Sequence, residues 1–77
     1  MPKVHEEEGC QFFVYLNEHN PPHVHIRLGD GLVVLYLDET VSVWKTDNVK
    51  ANEIRKARRV ALANRAKLLQ AWAKIHG

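Results

Sequence analysis

The chain has 77 residues, a formal net charge of +2 and one cysteine, Cys10. A chain this short buries only about 60% of the surface its unfolded form exposes, so it is a single small domain that a metal or a partner chain would help to hold together. One cysteine excludes an intramolecular disulfide, and the longest apolar run, Leu32 to Leu37, is far below the roughly 20 residues needed to span a bilayer.

The opening MPKVHEEEGC is acidic and polar where a secretory leader would be basic and then apolar. With the lone cysteine, this sets a reducing cytoplasm as the expected location. Residues 1–10 read as an acidic flexible N-terminus, with Glu6-Glu7-Glu8 either solvated or lying against basic residues further on. Cys10 precedes a strand and has nothing nearby to lower its thiol pKa, so it reads as inert.

Residues 11–45 read as a β-meander. Gln11 to Leu16 (QFFVYL) is aromatic and β-branched, as a strand requires. His19-Asn20-Pro21-Pro22-His23-Val24-His25 then places three of the five histidines within seven residues. The prolines fix two φ angles and push Asn20 away from helical geometry, so a stiff elbow delivers His23 into the next strand. Along that strand Val24, Ile26 and Leu28 share one face, while His23, His25 and Arg27 share the other. Gly29-Asp30-Gly31 lets the chain reverse into Leu32 to Leu37, Asp38-Glu39-Thr40 is a second turn, and Val41 to Lys45 is a further strand. Turns this short join antiparallel neighbours, because parallel strands need long crossovers.

Residues 49–76 change character. Residues 1–49 hold three basic side chains against eight acidic ones, a net of −5, whereas residues 50–77 hold eight against Glu53 alone, a net of +7. The second stretch is rich in Ala, Arg, Lys and Leu, with no Gly or Pro before Gly77, and reads as a basic amphipathic helical segment. Asp47 or Asn48 is the expected N-cap. Helical spacing places Ile54, Ala57, Ala61, Leu68, Trp72 and Ile75 in one stripe, with Leu62 and Leu69 on its flank. Arg58 and Arg65 fall inside that stripe. Either the helix breaks near Ala63-Asn64, or these guanidinium groups reach past the core edge. The expected fold is therefore α+β: a three- or four-stranded antiparallel meander packed against a C-terminal helix or kinked helix pair.

Three readings of the histidines follow. His23 and His25, two apart on a strand, project from one face at about 7 Å, a spacing that offers two imidazoles to one transition metal. His19 could swing across the elbow as a third ligand, with a carboxylate such as Glu18 completing a site for zinc, nickel or copper. Alternatively His23 and His25 act as acid and base on an RNA phosphodiester, with Arg27 as the anion contact and Tyr15, Tyr36 or Trp44 stacking on a base. In that case Arg55, Lys56, Arg58, Arg59, Arg65 and Lys67 form a nucleic-acid or partner-binding surface whose affinity falls with salt. In the third reading the histidines only shape a turn. Trp44 and Trp72 read as core anchors.

Asn20-Pro21-Pro22-His23-Val24-His25, the glycine turn that follows, and the tail Asn64-Arg65-Ala66-Lys67-Leu68-Leu69 ending in Trp72 together resemble the domain-of-unknown-function 4160 family of small bacterial proteins. The likeness covers nearly the whole chain. Ala66 and Lys67 stand where that family's pattern carries acidic residues. The resemblance implies a neighbouring gene for a second small protein, in an arrangement like a type II toxin–antitoxin pair, and hence a cognate protein partner. It places the family motif on Asn20, Pro21, Pro22, His23 and His25 without assigning a reaction, and no cofactor is expected from it.

Overall fold

A computed structural model describes residues 3–76. Five strands run β1 (Lys3–Glu7), β2 (Cys10–Phe13), β3 (His23–Leu28), β4 (Gly31–Tyr36) and β5 (Val43–Asp47), followed by α1 (Ala51–Ala63) and α2 (Arg65–His76). The strands form one antiparallel sheet in sequence order, so the α+β meander is as the sequence implies, with five strands rather than three or four.

The additional strand is β1, which lies in the stretch read as an acidic flexible N-terminus. Its sequence KVHEE lacks an apolar alternation, but Glu8 and Gly9 both take positive φ (52° and 78°). That is the geometry of a two-residue hairpin turn, and it pairs Glu7 with Cys10. Gly29 (φ 56°) and Asp30 turn β3 into β4 in the same short span, with Leu28 opposite Gly31. Gly31 is required by crowding, since a Cβ there would lie 2.4 Å from Val49 Cγ1 and 2.5 Å from the Asn48 carbonyl oxygen. Both edge strands are irregular: the register shifts between Lys3 and His5 in β1, and around Trp44 in β5.

One face of the sheet carries the core. Phe12, Val24, Ile26, Val33 and Leu35 pack with Ala57, Val60, Ala61, Leu68 and Trp72 from the two helices. The stripe expected of the helical segment is present in Ala57, Ala61, Leu68 and Trp72, with Ile54, Leu69 and Ile75 partly buried against it, while Leu62 stays 54% exposed. Lys50, not Asp47 or Asn48, is the N-cap of α1. Its backbone N–H donates to Glu53 Oε1 at 2.8 Å, the half of a capping box that an acid in the first helical turn supplies. Burial pushes the Cys10 thiol pKa up.

The helix breaks at Asn64, with φ −114° and ψ 18°, and Arg58 and Arg65 also reach past the core edge to carbonyls of Asp38, Thr40 and Val41, so both alternatives for these arginines hold. The Asn64 side-chain amide donates to the Val60 carbonyl at 2.8 Å and to Glu7 Oε1 at 3.0 Å, tying the break to β1. Among the described residues no helix is long and apolar enough to cross a membrane.

Candidate metal centre

Directly opposed residues of antiparallel strands share a face. The face away from the helices therefore carries the row Lys3, Phe13, His25, Val34 and Lys45, one from each strand. At the end of β3 nearest the double proline, His23 stands on the same face as His25. The link from β2 to β3 passes through Glu18 and returns through Pro21-Pro22, where the Asn20–Pro21 bond is cis. The Pro22 carbonyl accepts from Leu37 N–H at 2.9 Å, which pins the elbow to the end of β4.

Strand alternation alone leaves His23 on a solvent face. In the structure it is 2% exposed. The rings of Trp44, from β5, and Trp72, from α2, have centroids 5.0 Å from its own, and those of His25 and Tyr36 lie at 5.6 and 6.5 Å. Trp72 is a core anchor, as expected of it, whereas Trp44 is 45% exposed and serves as one wall around His23. Tyr36 stacks on Trp44 at 5.1 Å, and Tyr15 meets His25 edge-on at 4.7 Å.

The hydrogen bonds of His23 fix which nitrogen can act. Nδ1 donates to the Pro21 carbonyl at 2.8 Å, and a carbonyl can only accept, so Nδ1 carries the proton of the neutral ring. Nε2 presents a lone pair in that neutral form and a second donor, facing Glu18, in the imidazolium. It is buried, makes no hydrogen bond among the described residues, and lies 3.3 Å from Glu18 Oε2. Glu18 Oε1 accepts from His25 Nε2. Burial pushes the Glu18 carboxyl pKa up, but the imidazoles of His25 and His23 more than offset this and hold it below the ordinary glutamate value. Glu18 is therefore a carboxylate at neutral pH, shared by two imidazoles.

Donor atoms of Glu18, His23 and His25 all lie within 4.8 Å of one another. Two imidazoles and a carboxylate are ligands that zinc and its neighbours accept. A backbone carbonyl holding the far nitrogen of a ligating histidine is the usual outer support of such a site. The structure thus gathers His23, His25 and the carboxylate named from sequence, but not His19, which is exposed and outside the cluster.

The remaining site residues of the sequence analysis are dispersed. Arg27 is exposed on the histidine face, in the row beyond His25. Of the six basic residues expected to form a binding surface, four are engaged within the chain. Arg58 and Arg65 donate to carbonyls of residues 38–41, Arg59 pairs with Glu8 at 2.8 and 3.0 Å, and Lys67 Nζ meets His5 Nδ1 at 2.8 Å. Arg55 is exposed and lines an open groove with Thr40, Arg58, Arg59 and Leu62. Lys56 is partly buried.

A five-stranded meander backed by two helices, with a Glu-His-His cluster at the rim of its uncovered face, defines a small α+β domain built around one loop. Residues 9–73 match the family model described as Domain of unknown function (DUF4160), and the chain belongs to that family. No curated protein and no solved structure matches it.

Proposed function

We propose that the protein binds one divalent transition-metal ion through Glu18, His23 and His25. The observation that carries this reading is the meeting of His23 Nε2 with Glu18 Oε2 at 3.3 Å. With Nδ1 committed as a donor, a neutral His23 turns a lone pair toward a carboxylate oxygen, and two acceptors repel. A cation between them removes the conflict and also satisfies a buried nitrogen that has no hydrogen bond. Zinc suits the donor set, with nickel and copper next. All three donors lie within Glu18–His25, so the site is formed by one loop and the strand that follows it.

The test is calorimetric titration of tag-free protein with zinc, with all five histidines followed by NMR. Uptake of one zinc per chain, with His23 and His25 shifting together and Glu18→Ala abolishing the signal, is the expected result. Absence of zinc uptake, with both ring nitrogens of His23 protonated at neutral pH, would show instead a buried imidazolium–carboxylate pair and end the metal reading.

A second reading, favoured by the aromatic rings around the histidines, is recognition of single-stranded RNA by one member of a toxin–antitoxin-like pair. Tyr15, Tyr36 and Trp44 stand beside His25 and His23, with Arg27 in the next row, and base stacking on such rings is sequence-tolerant. Burial of His23 favours recognition over cleavage in this reading. A short RNA oligonucleotide that perturbs Trp44 and Arg27 without added metal would support it. The cognate partner is then the small protein of the neighbouring gene.

A further inference from the structure

We infer that the metal draws two copies of the chain together, with His19 of each completing the metal site of the other. This rests on the metal reading above and adds the occupant of the coordination position that reading leaves over. Zinc in protein sites is usually four-coordinate and tetrahedral, and Glu18, His23 and His25 are three donors.

The direction from which a fourth donor can come is set by burial. His23 is closed in by Trp44 and Trp72, whereas the side chains of Glu18 and His25 keep 25% and 16% of their exposure. A further ligand therefore approaches over the rim formed by Glu18 and His25. His19 follows Glu18 directly in the chain, is exposed, and lies outside its own chain's cluster, so its imidazole is a spare donor next in sequence to a ligand.

The same loop carries Leu16, which at 71% is the most exposed large hydrophobic side chain among the described residues. A contact between copies through this loop would cover Leu16, three residues before His19 in the chain.

Self-complementarity follows from symmetry. A surface bearing both an unfilled three-donor site and a spare donor one residue away satisfies itself about a two-fold axis, each copy giving His19 and receiving one. A contact confined to residues 16–19 involves far fewer than the roughly 20–30 residues a side of a standard protein interface, so the metal must supply the affinity. The dimer is accordingly metal-dependent, with two ions per pair and no association without them.

Sedimentation and light scattering on the tag-free full-length chain, with zinc as the probe, read this directly. The expected result is an 8.9 kDa monomer in chelator that doubles in mass at one zinc per chain and returns to monomer when chelator is added. His19→Ala should keep zinc uptake at one per chain yet remain monomeric. Its cobalt(II) form should shift its visible bands, as water takes the position of the lost imidazole.

A mixing experiment separates a ligand from a merely structural histidine. Glu18→Ala removes a donor but keeps His19, and His19→Ala does the reverse. Together they should form a pair with one complete site, binding one zinc per two chains. A monomer with one zinc per chain in the unaltered protein would overturn the dimer and leave the metal site standing. No zinc uptake at all would remove both.

Discussion

Arg58 Nε donates to the carbonyl of Val41 at 3.0 Å, and Val41 is held at φ 51°, a left-handed conformation that β-branched residues rarely adopt. The same guanidinium reaches the Thr40 carbonyl through Nη2 at 2.8 Å, and Arg65 Nε donates to the Asp38 carbonyl at 2.8 Å. One arginine from each helix thus clasps the turn between β4 and β5, while Val41 itself is fully buried. The strain at Val41 is sustained by this clasp and by its burial.

Removing the clasp should be costly. Arg58→Ala is expected to lower stability by about 1.5–3 kcal/mol, the usual worth of hydrogen bonds to a charged group. Arg58→Lys should recover only part, because a single ammonium lacks the rigid spread of donors with which the guanidinium meets the two carbonyls. Urea denaturation of both variants checks this, and a change under 0.5 kcal/mol for Arg58→Ala would mean the turn holds its shape unaided.

Zinc should stabilise the fold measurably. At a free concentration one hundred times the dissociation constant, binding adds about 2.7 kcal/mol. For a domain this size that is roughly 10–20 °C in Tm. His25→Ala and Glu18→Ala should abolish the increment while leaving the metal-free Tm within a few degrees, since both side chains are partly exposed. A Tm that rises equally in these variants would place the zinc elsewhere.

The two tryptophans should report the site differently. Each ring lies 5.0 Å from that of His23, so copper(II), a quencher of indole emission, should darken both when it binds. Trp44→Phe should leave stability nearly unchanged because Trp44 is at the surface, whereas Trp72→Ala should cost about 3–5 kcal/mol as a core deletion. Fluorescence of the Trp44→Phe protein then isolates Trp72, and its failure to quench would exclude copper from His23.

Acid should loosen the β4–β5 turn. The Ser42 hydroxyl and backbone N–H donate to the Asp38 carboxylate, with the Thr40 hydroxyl adding a third bond, and these hold its pKa below the ordinary aspartate value. A depressed folded pKa means stability that is complete above the unfolded value of about 3.9 and is lost as pH falls through the lower folded one. Glu6, Glu7 and Glu8 are depressed as well, by Lys3, His5 and Arg59 respectively, so the acid limb sums several exposed carboxylates. Asp38→Asn should make that limb shallower between pH 4 and pH 2, as measured by thermal melts across the range. An unaltered limb would show that the turn does not depend on the charge.

Legibility in the sequence followed the strength of local patterns. β3 is marked by apolar alternation and β4 by a continuous apolar run after a glycine turn, while the break near Asn64 is one of two ways to place the arginines of the helical stripe. What the arginines reach is not local: Val41 is 17 residues from Arg58. β1 was hidden because a polar edge strand is held by backbone pairing rather than by an apolar face. At the site, the His-x-His pair and the carboxylate of Glu18 were readable from type and spacing. The burial of His23 was not, because its walls come from positions 36, 44 and 72 and exist only after the sheet and α2 have met. The exposure of His19 depends on the path of the elbow, which spacing does not encode.

The irregular register in both outer strands governs how copies of this chain can meet. An open sheet ordinarily invites lateral growth, since each outer strand offers a ladder of unused amides to a neighbour. Here β1 shifts beside Lys3 and β5 bulges at Trp44, with charged Lys45 next to it. Each margin therefore presents only a few consecutive pairable residues, and strand-to-strand stacking into fibres is disfavoured at both sides. A dimer joined at the loop would instead close on itself about a two-fold axis and stop.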